Sequence, residues 1–159
     1  MQNLKHLLKQ PLSEVPNKIA VFLLIVALFG FVDSTYLTVE HFQGRVPPCS
    51  IVAGCEKVLT GPYSTVYGMP VALGGSIYYF LVLVGISGFL ESRAHKHLKW
   101  ALLLTILGFM ASLWFIFLQV FIIHSYCAYC MGSALTSTIL FVTAMNVFAK
   151  YQGRKISNF

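Results

Sequence analysis

The amino-acid sequence predicts an all-α integral membrane protein, a bundle of four transmembrane helices with a cysteine-bearing outward loop between the first and second helices. Three observations support this fold class. The chain of 159 residues is 57% hydrophobic and only 10% charged, whereas soluble domains carry about 25% charged residues. It contains four long apolar stretches, and its basic residues lie between or beyond them. This composition argues against a soluble globular domain and against disorder.

The four apolar stretches each have about 20 to 25 residues, enough to cross roughly 30 Å of hydrocarbon as helices. Helices are expected because the bilayer core offers no water to backbone polar groups, and the alternation of barrel strands is absent. One membrane domain is expected over residues 1–159, with antiparallel neighbouring helices and one long connection, the outward loop 39–65. The predicted helices are 19–38, 66–90, 100–123 and 126–149.

The distribution of lysine and arginine predicts the orientation of the helices. Only Arg45 and Lys57 lie on the side of the long loop, and the other nine of the eleven basic residues lie on the opposite side. By the positive-inside rule, both termini are expected in the cytoplasm. The net charge of +6 is therefore interpreted as a topology signal rather than as a nucleic-acid-binding surface. The nine are Lys5, Lys9, Lys18, Arg93, Lys96, Lys99, Lys150, Arg154 and Lys155.

The four cysteines form two close pairs, both on the predicted outward side. Cys127 and Cys130 form a C-x-x-C motif at the predicted start of the fourth helix, where the helix N-terminus favours a thiolate. Cys49 and Cys55 form a C-x5-C pair in the outward loop. Two dithiols on one face of a membrane bundle indicate an electron relay by thiol–disulfide exchange. A membrane quinone is the expected acceptor, because the sequence has no nucleotide-binding glycine fingerprint and no haem-attachment motif.

Other interpretations of the same residues stay open. The cysteines are also compatible with two structural disulfides in a non-enzymatic membrane subunit. A metal site beside His124 is not expected, because C-x5-C fits zinc spacing poorly. Asp33 lies near the outward end of the first helix, and an acid there is either functional or simply hydrated at the interface.

Several motifs follow one another in an order typical of a known family. The chain resembles the vitamin K epoxide reductase (VKOR) family, in its bacterial form, over roughly residues 20–148. The DsbB family does similar chemistry on a four-helix bundle, but it places its C-x-x-C in the first outward loop. The motifs are Cys49-x5-Cys55-x2-Val58-Leu59, Pro62-Tyr63, Tyr67-Gly68-Met69-Pro70-Val71-Ala72, Tyr78-Tyr79 and Cys127-x2-Cys130.

The resemblance implies a quinone-dependent thiol–disulfide oxidoreductase that generates disulfides. It implies that Cys49 accepts electrons from a thioredoxin-fold, DsbA-like partner and that Cys55 exchanges with Cys127. Cys130 would then reduce ubiquinone or menaquinone. The partner is expected to be a separate protein, and no nucleic acid is expected. The bacterial inner membrane is the expected location, with the cysteines facing the periplasm.

The resemblance also suggests which side chains contact the quinone beside Cys130. The family often has a serine where this sequence has Gly61, so Thr60 or Ser64 is expected to substitute for it. His124, three residues before Cys127, is expected either to stabilise a thiolate or pass a proton, or to be an interfacial residue without a role.

Overall fold

The computed structural model describes residues 15–48, 54–92 and 95–153. Four of its helices are long and apolar enough to cross a membrane, which confirms the predicted all-α membrane bundle. These spans are Asn17–Phe42, Val71–Ser92, Lys96–Ile123 and Ala128–Val147.

The elements run along the chain in a simple order. Helix α1 is followed by a short helix α2 and a two-stranded antiparallel hairpin, in which Thr65 pairs with Pro70 and Val66 with Met69. Helix α4 continues directly into a π-helical segment before the last helix begins. The bounds are α1 Asn17–Phe42, α2 Cys55–Leu59, β1 Thr65–Val66, β2 Met69–Pro70, α3 Val71–Ser92, α4 His95–Phe117, the π-helical segment Leu118–Ile123 and α5 Ala128–Gly153.

The helix bounds differ from the predicted ones where hydropathy does not report the backbone. The second membrane helix begins at Val71 rather than at residue 66, because the hairpin occupies the apolar residues before it. The tight turn of the hairpin places Tyr67 at φ 51° and Gly68 at φ 77°. A short hairpin turn requires such positive values. The first helix continues to Phe42, the third begins at His95, and the last begins at Ala128 rather than at residue 126.

Each long helix packs against two others. Helix α1 packs against α3 and α5, and α4 packs against the same two helices, which closes a four-helix bundle. Small residues allow close approach at these interfaces. A Cβ atom at Gly85 of α3 would lie 2.8 Å from the Cβ of Ala101 in α4, and one at Gly30 of α1 would collide with the ring of Tyr79.

The two ends of the bundle are built differently. One end, here called the packed end, contains the main buried apolar cluster, drawn from 15–27, 79–89, 98–102 and 140–147. The opposite end, here called the cysteine end, contains α2, the hairpin and the turn between the π-helical segment and α5. The candidate site lies at the cysteine end.

Candidate functional site

The C-x-x-C motif lies at the N-terminus of α5. The carbonyl oxygen of Cys127 accepts a hydrogen bond from the Met131 N–H at 3.0 Å, so Cys127 is the residue that caps the helix. Both cysteines are free thiols. The backbone N–H of Cys130 donates to the Cys127 sulfur at 3.4 Å. Cys127 is fully buried, whereas Cys130 is partly exposed.

The thiol of Cys127 is unusually acidic. A hydrogen bond from the Cys130 thiol lowers the pKa of Cys127 to about 7, with help from the backbone N–H groups of Tyr129 and Cys130. Burial and the charge of Asp33 act in the opposite direction on this pKa. Because thiolates are the reactive form in disulfide exchange, Cys127 is suited both to attack and to leave near neutral pH.

A glutamine that the sequence analysis missed holds the motif in place. The side-chain oxygen of Gln119 accepts a hydrogen bond from the Cys127 N–H at 2.9 Å, and its backbone oxygen accepts one from the Ser125 N–H at 3.2 Å. Gln119 lies in the π-helical segment and is buried. Single-turn π-helices of this kind are frequent at functional sites. The sequence does contain a signal for Gln119, because it is the sole polar residue between Trp114 and Ile123.

The outward loop is docked against the C-x-x-C motif. Cys55 and Val58 of α2 share one buried cluster with Cys127, and Cys130 packs against that cluster. The absence of a side chain at Gly54 permits this approach, because a Cβ atom there would lie 2.8 Å from the Tyr126 carbonyl oxygen. The sulfur of Cys55 is disulfide-bonded. The structure therefore brings Cys55 together with Cys127 and Cys130, whereas Cys49 lies outside the described residues.

A second contact holds the segment that leads to Cys49. The hydroxyl of Tyr129, which lies between the two cysteines of the motif, donates to the Pro48 carbonyl oxygen at 3.2 Å. The Tyr129 ring also lies 5.7 Å from the ring of Tyr36 in α1. The loop thus closely approaches Tyr126 at Gly54 and is hydrogen-bonded to the motif at Pro48.

A cavity of about 1120 Å³ opens beside Cys130. Residues of all four long helices line it, together with the segment from α2 to the hairpin. Its lining includes Cys130, Thr60 and Ser64, three of the four residues predicted to contact a quinone. The fourth, His124, does not line it: this residue lies exposed in the turn after the π-helical segment, in a left-handed conformation at φ 51°.

The cavity wall contains unused hydrogen-bonding capacity. Among the described residues, three buried side-chain atoms have no hydrogen-bond partner: Asp33 Oδ2, the Tyr78 hydroxyl and Ser137 Oγ. All three residues line the cavity. The Tyr78 and Ser137 hydroxyls approach each other without completing a hydrogen bond. Because a buried polar atom without a partner costs about 1–3 kcal/mol, a polar ligand in this cavity would be stabilised there.

The hydroxyl groups of Thr60 and Ser64, which were predicted to contact a quinone, already donate hydrogen bonds within their own loop. Thr60 donates to the Glu56 carbonyl oxygen at 2.7 Å, and Ser64 donates to the Gly61 carbonyl oxygen at 2.7 Å. A Cβ atom at Gly61 would lie 2.7 Å from the Lys57 carbonyl oxygen, so the serine expected from the family would not fit this backbone. A quinone oxygen needs donors, and Tyr78 and Ser137 are the better candidates. The one signal for Ser137 is its spacing, two helical turns from Cys130 on the same face.

One comparison with known proteins identifies a family. A family model described as the Vitamin K epoxide reductase family matches residues 21–145 of the chain. The matched range includes both cysteine pairs and most of the four long helices. A search of the curated proteins finds no match.

Proposed function

Because the chain belongs to the vitamin K epoxide reductase family, we propose that it generates disulfides by reoxidising a separate thioredoxin-fold, DsbA-like partner and passing two electrons to a membrane quinone. Members of the family are membrane thiol–disulfide oxidoreductases that use quinones. The observation that carries the proposal is the burial of Cys55 and Cys127 in one cluster, beside a cavity lined by Cys130.

The proposed relay has three exchanges. The reduced partner attacks the Cys49–Cys55 disulfide, leaves oxidised and frees both loop thiols. Cys55 attacks Cys127 of the oxidised motif, which releases the Cys130 thiol, and Cys49 then attacks Cys55 to restore the loop disulfide. Cys127 and Cys130 now hold the two electrons as a dithiol, whose reoxidation returns the enzyme to its starting state.

Local structure supports each exchange between the pairs. Cys55 and Cys127 pack in one cluster, so no domain movement is needed to join them. The pKa of about 7 at Cys127, lowered chiefly by the Cys130 thiol, makes this sulfur a good leaving group when Cys49 resolves the mixed disulfide. Gln119 fixes the Cys127 backbone and leaves the sulfur free to react.

A quinone fits the cavity beside Cys130. Bound there, it supplies an acceptor for two electrons and two protons. Tyr78 and Ser137 would hold its polar head, and apolar residues of α3 and α4 such as Leu81, Leu104 and Phe115 would surround the rest. Ubiquinone and menaquinone are both candidates.

The proposed orientation places the cysteine end in the periplasm of a bacterium and both termini in the cytoplasm. It rests on the sequence positions of the eleven basic residues, nine of which precede, separate or follow the membrane spans on the side opposite the long loop. In this orientation the loop cysteines meet the oxidising compartment in which disulfides persist.

The test is quinone reduction by the purified protein in detergent, followed as loss of quinone absorbance. Reduced DsbA-like protein and dithiothreitol serve as alternative electron donors, and ubiquinone and menaquinone as alternative acceptors. We expect turnover with both donors, and complete loss with both in Cys130→Ala.

The matched control is Cys49→Ala, which should lose turnover with the protein donor and keep it with dithiothreitol. Loss with both donors would contradict the assigned order of the cysteines. A wild-type protein that reduces neither quinone while all four cysteines are oxidised would favour structural disulfides in a non-enzymatic subunit.

A further inference from the structure

Reduction of a quinone consumes two protons, and the cysteine relay alone does not say how they reach the quinone oxygens. We infer that Asp33 is the proton-transferring residue of this site, taking the proton from the Cys130 thiol and giving it to a quinone oxygen. The inference rests on the proposed function and adds to it a catalytic residue on α1.

The position of Asp33 along α1 places it level with the start of α5, where Cys127 and Cys130 lie. The Tyr36 ring lies 5.7 Å from that of Tyr129, which precedes Cys130, so this part of α1 is level with the start of α5. Asp33 lies on the same face of α1 as Tyr36, about one turn deeper. One turn beyond Cys130, the Ser133 carbonyl oxygen accepts a hydrogen bond from Tyr79 at 2.7 Å, and the Asp33 charge acts on Tyr79 as well as on Cys127.

The setting of the carboxyl group suits proton transfer rather than structure. Asp33 lines the cavity with Cys130, and its Oδ2 atom is buried without a hydrogen-bond partner among the described residues. A structural carboxylate would be tied by an ion pair or by several hydrogen bonds. Glu40, two turns along the same helix, shows that alternative, because it pairs with Arg45 at 3.6 Å.

The proposed step balances. The Cys130 thiol gives its proton to the Asp33 carboxylate, and two electrons leave the dithiol as the Cys127–Cys130 disulfide forms. Those electrons reduce the quinone to the quinol. Asp33 returns its proton to one oxygen of the reduced quinone, and the second proton reaches the other oxygen from the Cys127 thiol or, where Cys127 is a thiolate, from water. Asp33 ends as it began, so it acts as a catalyst and is not consumed.

His41 is the competing proton carrier, because it also lines the cavity. It lies eight residues further along α1, about 12 Å toward the helix end at 1.5 Å per residue. Asp33 is favoured because it lies level with the first turn of α5, where Cys130 is.

The test compares Asp33→Asn with Glu40→Gln, the same chemical change on the same helix outside the cavity lining, and with His41→Gln. Each variant is assayed with dithiothreitol as donor and ubiquinone carrying a single isoprenoid unit as acceptor. The rate at which dithiothreitol reduces the Cys127–Cys130 disulfide is measured separately, without quinone, by thiol alkylation. Asp33→Ala is assayed with and without added acetic acid.

We expect Asp33→Asn to lower kcat for quinone at least tenfold, with KM for quinone and the rate of disulfide reduction within twofold of wild type. Glu40→Gln should retain wild-type kcat, His41→Gln should lose less kcat than Asp33→Asn, and acetic acid should restore part of the kcat of Asp33→Ala. Asp33→Glu, which keeps a transferable proton, should retain more kcat than Asp33→Asn.

Three results would overturn the assignment of Asp33 while leaving the relay intact: a kcat of Asp33→Asn within twofold of wild type, an equal loss in disulfide reduction, or a larger loss in His41→Gln. A wild-type protein that reduces no quinone through Cys130 would instead reject the proposed function, and this inference with it.

Discussion

The packed end and the cysteine end are formed by the same four long helices, yet their interiors are packed differently. At the packed end, side chains such as Leu140, Ile86 and Leu102 are buried to 1% exposure or less. At the cysteine end, the helices enclose a cavity of about 1120 Å³ and leave three buried polar atoms of the described residues unpaired. The packed end stabilises the bundle. The cysteine end is less tightly packed, which leaves room for a ligand and a reaction.

Tyr79 lies at the junction of the two ends. Its ring belongs to the packed cluster and covers Gly30. Its hydroxyl shares a hydrogen bond of 2.8 Å with the Thr136 hydroxyl and donates one of 2.7 Å to the Ser133 carbonyl oxygen. Both partners lie within the first turns of α5. The packed end therefore fixes the helix that presents Cys130, so the rigid half of the bundle positions the reactive half.

The largest effect is expected from a cavity cut into the packed end. Leu140→Ala removes a fully buried side chain of α5 and should destabilise the protein by about 2–5 kcal/mol. Leu135→Ala, on the same helix at 61% exposure, is the matched control and should have little effect. Unfolding in mixed detergent measures both. Equal stabilities of the two variants would contradict a stabilising role for the packed end.

The next effect tests the anchor of the cysteine end. Gln119→Leu leaves the buried Cys127 N–H without its acceptor, at a cost of about 1–3 kcal/mol. If part of this cost displaces the sulfur, reduction of the Cys127–Cys130 disulfide should slow about tenfold. Gln119→Glu keeps an acceptor oxygen and, in its protonated form, should slow this reduction less than Gln119→Leu does. Indistinguishable alkylation time courses for the two variants would argue against an anchoring role.

A titration sharpens the comparison from the chemical side. In the reduced protein without its loop cysteines, the ultraviolet absorbance of the Cys127 thiolate should rise with a midpoint near pH 7, because the Cys130 thiol lowers the pKa of Cys127 to about 7. Cys130→Ala should move the midpoint upward, and Cys130→Ser, which keeps a hydroxyl donor, should move it less. An unshifted midpoint of about 8.5 would contradict the assignment.

The same shift links reduction to stability. The pKa of Cys127 is lower in the folded protein than in the unfolded chain, so ionisation of this thiol favours folding increasingly as the pH rises through about 7. The contribution is complete above the unfolded value of about 8.5 and is lost as the pH falls below 7.

The smallest effect is expected where the loop is attached. Tyr129→Phe removes the hydrogen bond to the Pro48 carbonyl oxygen, worth about 0.5–1.5 kcal/mol. Turnover with the protein donor should fall about two- to tenfold, whereas turnover with dithiothreitol should not change. Tyr126→Phe, at a neighbouring tyrosine with 47% exposure, serves as control. A parallel loss with both donors would mean that Tyr129 supports the motif and not the loop.

The sequence was informative about properties that depend only on the order of residues along the chain. Hydropathy alone identified four spans, because crossing a bilayer requires length and apolarity whatever the neighbouring helices are. It misplaced the start of α3, because Val66, Met69 and Pro70 extend the apolar stretch while the backbone forms a hairpin. The motif order around Cys55 and Cys127 indicated the family, and the family match over residues 21–145 bears it out.

Side-chain roles beyond the cysteines depended on the fold. Thr60 and Ser64, predicted to contact the quinone, line the cavity, but their hydroxyl hydrogens are engaged by the backbone of their own loop. His124 was expected near the reaction because it lies three residues from Cys127, yet the left-handed turn leaves it exposed.

What the amino-acid sequence determined by itself is the membrane bundle, its four spans and the two cysteine pairs, because these follow from hydropathy and from spacing along one chain. What the tertiary structure alone decided is which polar groups line the cavity beside Cys130. Asp33, Tyr78 and Ser137 come from three different helices and line one cavity. Helix packing puts them there, and no local pattern in the sequence records which faces of separate helices will meet.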